Sequence, residues 1–372
     1  MTTTARAAIC HGSEHPFEIA DVQLDDLRPD ELLVRLVACG ICHTDMAVRD
    51  QQLPTPLPAV LGHEGAGIVE AVSSEVTVAA PGDRVIMSFN SCGHCPTCDA
   101  QAPTYCYNFG PNNFSGGRPD GSAVITREGE RIGGNFFGQS SFASHAIAHQ
   151  RNVVKVPDTM ADLPLERLAP LGCGLMTGAG AVLRSMEVRA GLPIAITGVG
   201  TVGLAAVMAA KVAGADPIIA IDMHESRLAL ARELGAMHTI QAGGDAMEKL
   251  AALVPQRLAY AFDTTGVKAV IEGLFSLIAP KGVLGLVGAS DRSTELAFNE
   301  AALMGGGKRV IGILGGDSDV GDFLVQLMEL HRDGRFPFEQ LIRYYDFDAI
   351  NEAIEASESG EAVKPVLRIS EE

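Results

Sequence analysis

The stretch PIAITGVGTVGLAAVMAAKVAG, residues 193–214, decides the fold. Its opening PIAIT (193–197) is a short apolar run rich in isoleucine, the pattern of a strand buried on both faces. Gly198-Val199-Gly200-Thr201-Val202-Gly203 follows without a gap and leads into the small and apolar residues of a helix. A second apolar run, PIIAI (217–221), ends at Asp222, 19 residues beyond Gly203. The glycine pattern alone describes any tight strand-to-helix turn. Strand, turn, helix, second strand and terminal acid together describe a dinucleotide-binding βαβ unit. Gly198, Gly200 and Gly203 allow close approach of backbone to a pyrophosphate, the helix N-terminus offers unpaired N–H groups, and Asp222 accepts hydrogen bonds from an adenosine ribose. A carboxylate there repels a 2′-phosphate, so NAD is expected in preference to NADP. Arg227, five residues on, is a cation able to contact either ribose or phosphate.

Working outward, HTI (238–240), AYAFD (259–263), VLGLV (283–287) and RVIGI (309–313) alternate with helical lengths. Six short strands in this rhythm predict an α/β fold with a doubly wound parallel sheet, a Rossmann unit over residues 175–314. Upstream the texture differs. Short β-branched segments such as ELLVRLVAC, GAGIVEAV, GDRVIMSF and RNVVKVP, punctuated by Gly and Pro, predict a β-rich, barrel-like unit with little helix. The 58 residues from Gly315 to Glu372 are too few for a comfortable domain of their own. They are expected to rejoin the first unit, giving a discontinuous domain of residues 1–174 and 315–372. Residues 107–135 form a long polar, Gly-rich stretch without periodicity, expected to cap a site or an interface.

A chain of 372 residues has surface enough for two buried cores. Its 28 Lys plus Arg against 46 Asp plus Glu give a net charge of −18, which repels nucleic acids and anionic membrane surfaces. Charged residues interrupt every apolar run before the roughly 20 residues a membrane span needs. The first residues lack the pattern of a secretory signal, so a soluble cytoplasmic protein is expected. Eight cysteines in a reducing compartment point to metal binding or chemistry in preference to disulfides.

Cys92, Cys95, Cys98 and Cys106 follow the spacing C-x-x-C-x-x-C-x7-C. Short C-x-x-C turns aim successive sulfurs at one point, and four thiolates close a tetrahedral zinc site with no open position, which makes it structural. Iron–sulfur ligation shares the first three cysteines, but the C-x3-C-P continuation is missing. Three further segments carry candidate ligands: Gly40-Ile41-Cys42-His43-Thr44-Asp45, Gly62-His63-Glu64-Gly65 and Gly172-Cys173-Gly174. Taken singly, each Cys or His is more often a core residue, and no spacing rule joins them.

These segments, the four-cysteine lobe and the GVGTVG fingerprint occur in the order seen in zinc-dependent medium-chain alcohol dehydrogenases, which the chain resembles over essentially its whole length. Through CHTDMAVRDQ, SFNSCGHC, FFGQSSFASHA and PLGCGLMTGAGA it is most similar to the bacterial aryl-alcohol (benzyl alcohol) and geraniol dehydrogenases. The resemblance implies a GroES-like catalytic domain beside the Rossmann domain. It implies two zinc ions per chain, the catalytic one held by Cys42, His63 and Cys173 with its fourth position exchangeable, as Lewis-acid chemistry requires. Asp45 would fix the tautomer of His63, and Glu64 would stand near the metal either as an occasional ligand or as a salt-bridged neighbour. Thr44 would hydrogen-bond the alcohol oxygen and begin a proton relay. Thr177 and Val202 would pack on the nicotinamide, while His43 and Lys364 would contact the pyrophosphate. Leu53, Phe89 and Phe142 would wall the substrate pocket. Where many relatives place a relay histidine, this chain has Ala47, so Thr44 and the ribose hydroxyls would pass the proton to water or another group would substitute.

The implied reaction is hydride transfer between a primary aromatic or allylic alcohol and NAD. Two alternatives stand beside it: a thiol-adduct formaldehyde dehydrogenase of the same superfamily, and a catalytically silent nucleotide-binding sensor on the same scaffold. An edge strand, RVIGI or VLGLV, is expected to pair across a two-fold axis in a homo-oligomer.

Overall fold

The computed structural model describes residues 3–291 and 293–372. The chain divides into two units, the second comprising Gly174–Ser318 and Leu330–Phe338. Its strands are β1 (Ile194–Thr197), β2 (Ile218–Asp222), β3 (His238–Gln241), β4 (Leu258–Asp263), β5 (Ile278–Leu286) and β6 (Arg309–Gly312). All neighbours are parallel, in the spatial order β3-β2-β1-β4-β5-β6. β1 and β2 are buried along their whole lengths, as apolar runs must be when helices cover both faces of a sheet. The order reverses between β1 and β4, and at such a switch point the carboxyl ends of the strands open a crevice for ligand. VLGLV lies largely within β5 and is paired on both sides, so it is no edge; RVIGI supplies β6, which among the described residues pairs with β5 alone.

The first unit comprises the chain up to Cys173 with Asp319–Glu329 and Glu339–Glu372. One antiparallel sheet runs Ala59–Val60, Thr3–Cys10, Glu18–Leu24, Ile125–Arg127, Glu130–Ile132. A second sheet centres on Glu31–Gly40, which pairs with Glu64–Val72, His145–His149 and, near its end, Lys364–Arg368. Leu32, Val34, Leu36, Val69, Val85 and Met87 form the core of this second sheet. The chain's division falls after Ser318 where 314 was expected, and Leu330–Phe338 groups with the second unit. In that segment Phe336 and Phe338 are fully buried with ring centroids 5.9 Å apart, an apolar hook that the polar residues around it conceal in the sequence.

Residues 107–135 are not devoid of regular structure. They hold a helix, Phe109–Phe114, and a hairpin whose two-residue turn, Glu128-Gly129, has φ of 53° and 84°. Positive φ at both turn positions matches the right-handed twist of the flanking strands. Arg118 staples the segment to the barrel with all five N–H donors: to Glu31 (2.7 and 2.8 Å), Asp25 (2.6 Å) and the carbonyls of Ala123 (2.9 Å) and Asp26 (3.1 Å). Glu31 is itself buried. Arg118→Met leaves that carboxylate without its counter-charge, only the Arg28 N–H (2.8 Å) remaining, and is expected to cost about 3 kcal/mol, read as a lower urea midpoint at unchanged slope. A wild-type midpoint would show that the staple carries no stability.

Candidate active site

Cys42 ends an extended segment and begins the helix His43–Arg49. Asp45, in the first turn of that helix, is fully buried, and its two oxygens serve three donors. Oδ2 accepts from the Cys42 backbone N–H (2.9 Å), while Oδ1 accepts from the Gly62 N–H (3.1 Å) and faces His63 Nδ1 (2.9 Å). One carboxylate therefore fixes the backbone of Cys42 and the ring of His63 together. With Nδ1–H given to Asp45, Nε2 presents its lone pair, and it lies 3.3 Å from Cys173 Sγ. Cys42, His63, Glu64 and Cys173 bring one donor atom each within 4.8 Å of one another.

Glu64 is buried, and Lys364 Nζ donates to both its oxygens (3.0 and 2.9 Å) and to the Ile41 carbonyl (2.9 Å). Burial pushes the Glu64 carboxyl up to about 7, against the pull of Lys364. Lys364 is thus spent inside the first unit: at 2% exposed it offers no cation to a pyrophosphate, contrary to the expectation from sequence. The strand KPVLR that carries it is buried from Lys364 to Leu367, and a lysine there folds inward only because Glu64 meets it.

Cys92, Cys95, Cys98 and Cys106 form the other cluster, their sulfurs all within 4.8 Å of one another. Separations of 3.4 Å (Cys95–Cys98) and 4.0 Å (Cys92–Cys98 and Cys95–Cys106) bracket the about 3.8 Å edge of a tetrahedron with zinc–sulfur bonds of about 2.3 Å. The Thr97 hydroxyl holds the Cys95 thiol down at about 5, whereas burial pushes Cys106 up to about 12. Four thiolates at that spacing repel, and a divalent cation removes the conflict. The same conflict marks the first cluster: the Cys173 thiol hydrogen-bonds Cys42 and holds it low, while Cys173 itself is raised. Both donor sets fit zinc, one with four sulfurs and one with two sulfurs and a nitrogen.

Aromatic rings surround His63. Phe137 stacks on it at 4.5 Å and 25°, and Phe136 meets it edge-on at 5.5 Å. Phe109 and Phe114 adjoin Phe137 at 6.2 and 5.2 Å, and Phe89 adjoins Phe109 at 5.7 Å. Of the expected wall residues, Phe89 lies in this group, and Leu53 is half-buried against the core of the five-stranded sheet. Phe142 is no wall: it is fully buried, edge-on to Phe17 at 6.0 Å in that core. Sequence reasoning passed over Phe136 and Phe137, although both stand in the FFGQSSFASHA segment. The Thr44 hydroxyl lies 3.8 Å from Cys42 Sγ, with Ala47 buried one turn on and His43 exposed at the helix start.

In the second unit, Gly198 takes φ +78° at the end of β1, and a Cβ on Gly203 would stand 1.9 Å from the Gly198 carbonyl oxygen, so the turn demands glycine at both positions. Asp222 is buried; it accepts from the Val199 N–H (2.8 Å) and the His224 N–H (2.8 Å), with the Arg227 guanidinium 3.9 Å away. It thereby locks the glycine turn to the end of β2. The helix Gly174–Gly180 lies against the backbone of Val202 through Gly178, which puts Thr177 and Val202 in one neighbourhood.

Residues 28–158 match the family model of the alcohol dehydrogenase GroES-like domain, and residues 201–329 that of zinc-binding dehydrogenases. The chain belongs to the zinc-binding alcohol dehydrogenases. Geraniol dehydrogenase of Castellaniella defragrans is 43% identical over 367 residues, 98% of this chain and 97% of that one. Benzyl alcohol dehydrogenase of Acinetobacter calcoaceticus superimposes with a TM-score of 0.94 at 39% identity, covering 99% of this chain and all of the other. A zinc-binding-domain alcohol dehydrogenase of Burkholderia ambifaria gives 0.96 at 44% identity, each chain wholly covered. This alcohol dehydrogenase is therefore a zinc-dependent oxidoreductase built from a GroES-like and a Rossmann unit, using a nicotinamide dinucleotide to act on small-molecule alcohols. Among the described residues no helix is long and apolar enough to cross a membrane.

Proposed function

We propose that the enzyme interconverts a primary aromatic or allylic alcohol and its aldehyde, using NAD and two zinc ions per chain. The observation that carries this reading is the cluster of Cys42, His63 and Cys173 with the rings of Phe137, Phe109, Phe114 and Phe89 beside it, Phe136 being buried in the core behind them. A flat, apolar alcohol suits such a surface and a charged one does not. The relatives named for geraniol and benzyl alcohol support the same substrate class. Asp222 supports NAD.

Zinc at the Cys42, His63 and Cys173 cluster would supply Lewis acidity toward the alcohol oxygen, and the dinucleotide would accept the hydride. The chain's own residues do the rest. Asp45 holds His63 in the tautomer that leaves Nε2 free, and Phe137 shields the ring from water. Thr44 Oγ1 takes the proton of the substrate hydroxyl and hands it on; Ala47, in the same helix, has no group to share that duty. The four thiolates of Cys92, Cys95, Cys98 and Cys106 would hold the second zinc. The β6 edge is proposed to join two copies in a homo-oligomer. Eight cysteines free of disulfides suit the cytoplasm.

The test is NADH formation by purified enzyme with benzyl alcohol, geraniol, ethanol, or formaldehyde plus thiol, each with NAD or NADP, alongside metal analysis. NAD-linked turnover of benzyl alcohol or geraniol with two zinc ions per chain is expected. Turnover of formaldehyde plus thiol alone would replace the substrate class. Silence with every substrate and a single zinc would leave a nucleotide-binding protein.

A further inference from the structure

The proposed catalytic ligands come from distant places, His63 and Cys173 being 110 positions apart. Asp45 fixes the His63 ring and the Cys42 backbone, and its hydrogen bonds go to Cys42, Gly62 and His63 and not to the segment that delivers Cys173. That segment is reached by another route. Ser88, fully buried just beyond the strand Arg84–Met87, donates from Oγ to the carbonyl of Gly172, the residue before Cys173, at 2.6 Å. The Ser88 carbonyl in turn accepts from Gln139 Nε2 at 2.9 Å, and the other Nε2 hydrogen goes to the carbonyl of His63, also at 2.9 Å.

Gln139 is 1% exposed, and its side chain is saturated: Oε1 accepts from the Gly65 N–H (3.1 Å) and from Ser141 Oγ (2.6 Å). An amide has two donors and two principal acceptor positions, and here all four are used. One side chain thus clamps the main chain on both sides of Glu64 and, through Ser88, the main chain entering Cys173. The backbone presenting it is strained. Asn135, Phe137 and Ser140 all have positive φ, between 53° and 60°. Such strain persists only where surrounding bonds over-determine it. Those bonds are present: Ser140 Oγ donates to the Val60 carbonyl (2.8 Å) and accepts from the Phe136 N–H (2.9 Å), and Asn152 Nδ2 donates to the carbonyls of Phe137 (3.2 Å) and Gly138 (3.1 Å).

We infer that Gln139, acting through Ser88, is a positioning residue that holds the His63 and Cys173 segments at the spacing a zinc ion requires. This rests on the reading of Cys42, His63 and Cys173 as zinc ligands. It accounts for part of the FFGQSSF segment that the aromatic surface does not. A ligand pair held by its main chain loses the metal slowly, because one ligand cannot swing away while the other stays. Were the amide there only to satisfy buried carbonyls, removing it would lower the melting temperature and leave the metal's environment alone.

Gln139→Met keeps the length of the side chain and removes all four bonds. Ser88→Ala breaks only the link to Gly172 and keeps the Ser88 carbonyl for Gln139. Zinc release from the full-length holoenzyme to a chromophoric chelator, and the visible spectrum of the cobalt-substituted enzyme, are the readouts. Wild type should show two zinc ions leaving in separate phases. Gln139→Met should release one of them about tenfold faster, leave the four-cysteine phase unchanged and shift the cobalt bands of the Cys2His site. Ser88→Ala should move in the same direction, Ser88→Thr should restore the wild-type rate, and these two carry the test if Gln139→Met does not fold. Wild-type release rates and spectra in Gln139→Met and Ser88→Ala would overturn the role of Gln139 alone. A wild-type chain holding one zinc, in the four-cysteine lobe, would overturn the ligand reading and Gln139's role with it.

Discussion

Cys173→Ala is expected to lower kcat/KM for alcohol oxidation by about a thousandfold or more, with the fold intact and the zinc content falling from two per chain to one. The size follows from what a Lewis acid contributes, several kcal/mol of transition-state stabilisation, at about 1.4 kcal/mol per tenfold in rate. The fold should survive because the substitution removes a single sulfur, and the surrounding structure leans on main-chain contacts such as the Gly172 carbonyl held by Ser88. Loss of Cys173 also leaves the site one sulfur and one nitrogen, too few for the three protein ligands a catalytic zinc site uses. Steady-state kinetics, zinc analysis and circular dichroism on one preparation decide the matter. Near-wild-type turnover would rule out Cys173 as a ligand of the reacting centre, whatever the metal count.

Thr44→Val is expected to reduce kcat by about a thousandfold, within the range for loss of a positioned proton-transfer group. Valine matches threonine in shape, so the half-buried site beside Cys42 keeps its packing and loses only the hydroxyl. Zinc content should stay at the wild-type value, which separates this variant from Cys173→Ala. Thr44→Ser should restore most of the rate, because serine returns the oxygen without the methyl. The effect should be undiluted here because Ala47 supplies no imidazole for a parallel route. An unchanged kcat in Thr44→Val would remove Thr44 from the reaction.

Legibility in the sequence followed the range of the interactions involved. β1, β2, β4 and β5 were visible as short apolar runs, because a parallel strand covered on both faces has little polar side to blur it, whereas β3 and β6, part-exposed at the ends of the sheet, were legible through their place in the strand–helix alternation. The four-cysteine lobe was visible because its ligands fall within 15 residues, from Cys92 to Cys106. Lys364 was misplaced because its partner is 300 positions away, and a lysine beside an apolar run ordinarily faces solvent. The hairpin at Glu128-Gly129 went unseen because its strands, ITR and ERI, carry too few apolar residues to show a period. Phe137 and Phe142 could not be told apart by type; a left-handed backbone turns the first onto His63, and the second falls into the core of the five-stranded sheet. Gln139 carries no charge and belongs to no spacing pattern, so only its four bonds reveal it.

The salt bridge from Lys364 to Glu64 has a consequence for biosynthesis. Cys42, His63 and Glu64 emerge from the ribosome about 300 residues before the lysine that neutralises Glu64 and the strand Lys364–Arg368 that pairs with the end of Glu31–Gly40. About 190 residues separate Cys173 from that strand, about 10–40 s of translation at roughly 5–20 residues per second. Through that interval Glu64 lacks its counter-charge and the end of the central strand, Ala38–Gly40, lacks its partner, while the second unit emerges. Nascent chains stalled before Lys364 should therefore display the unpaired end of that strand to chaperones, and chains extended past Arg368 should cover it.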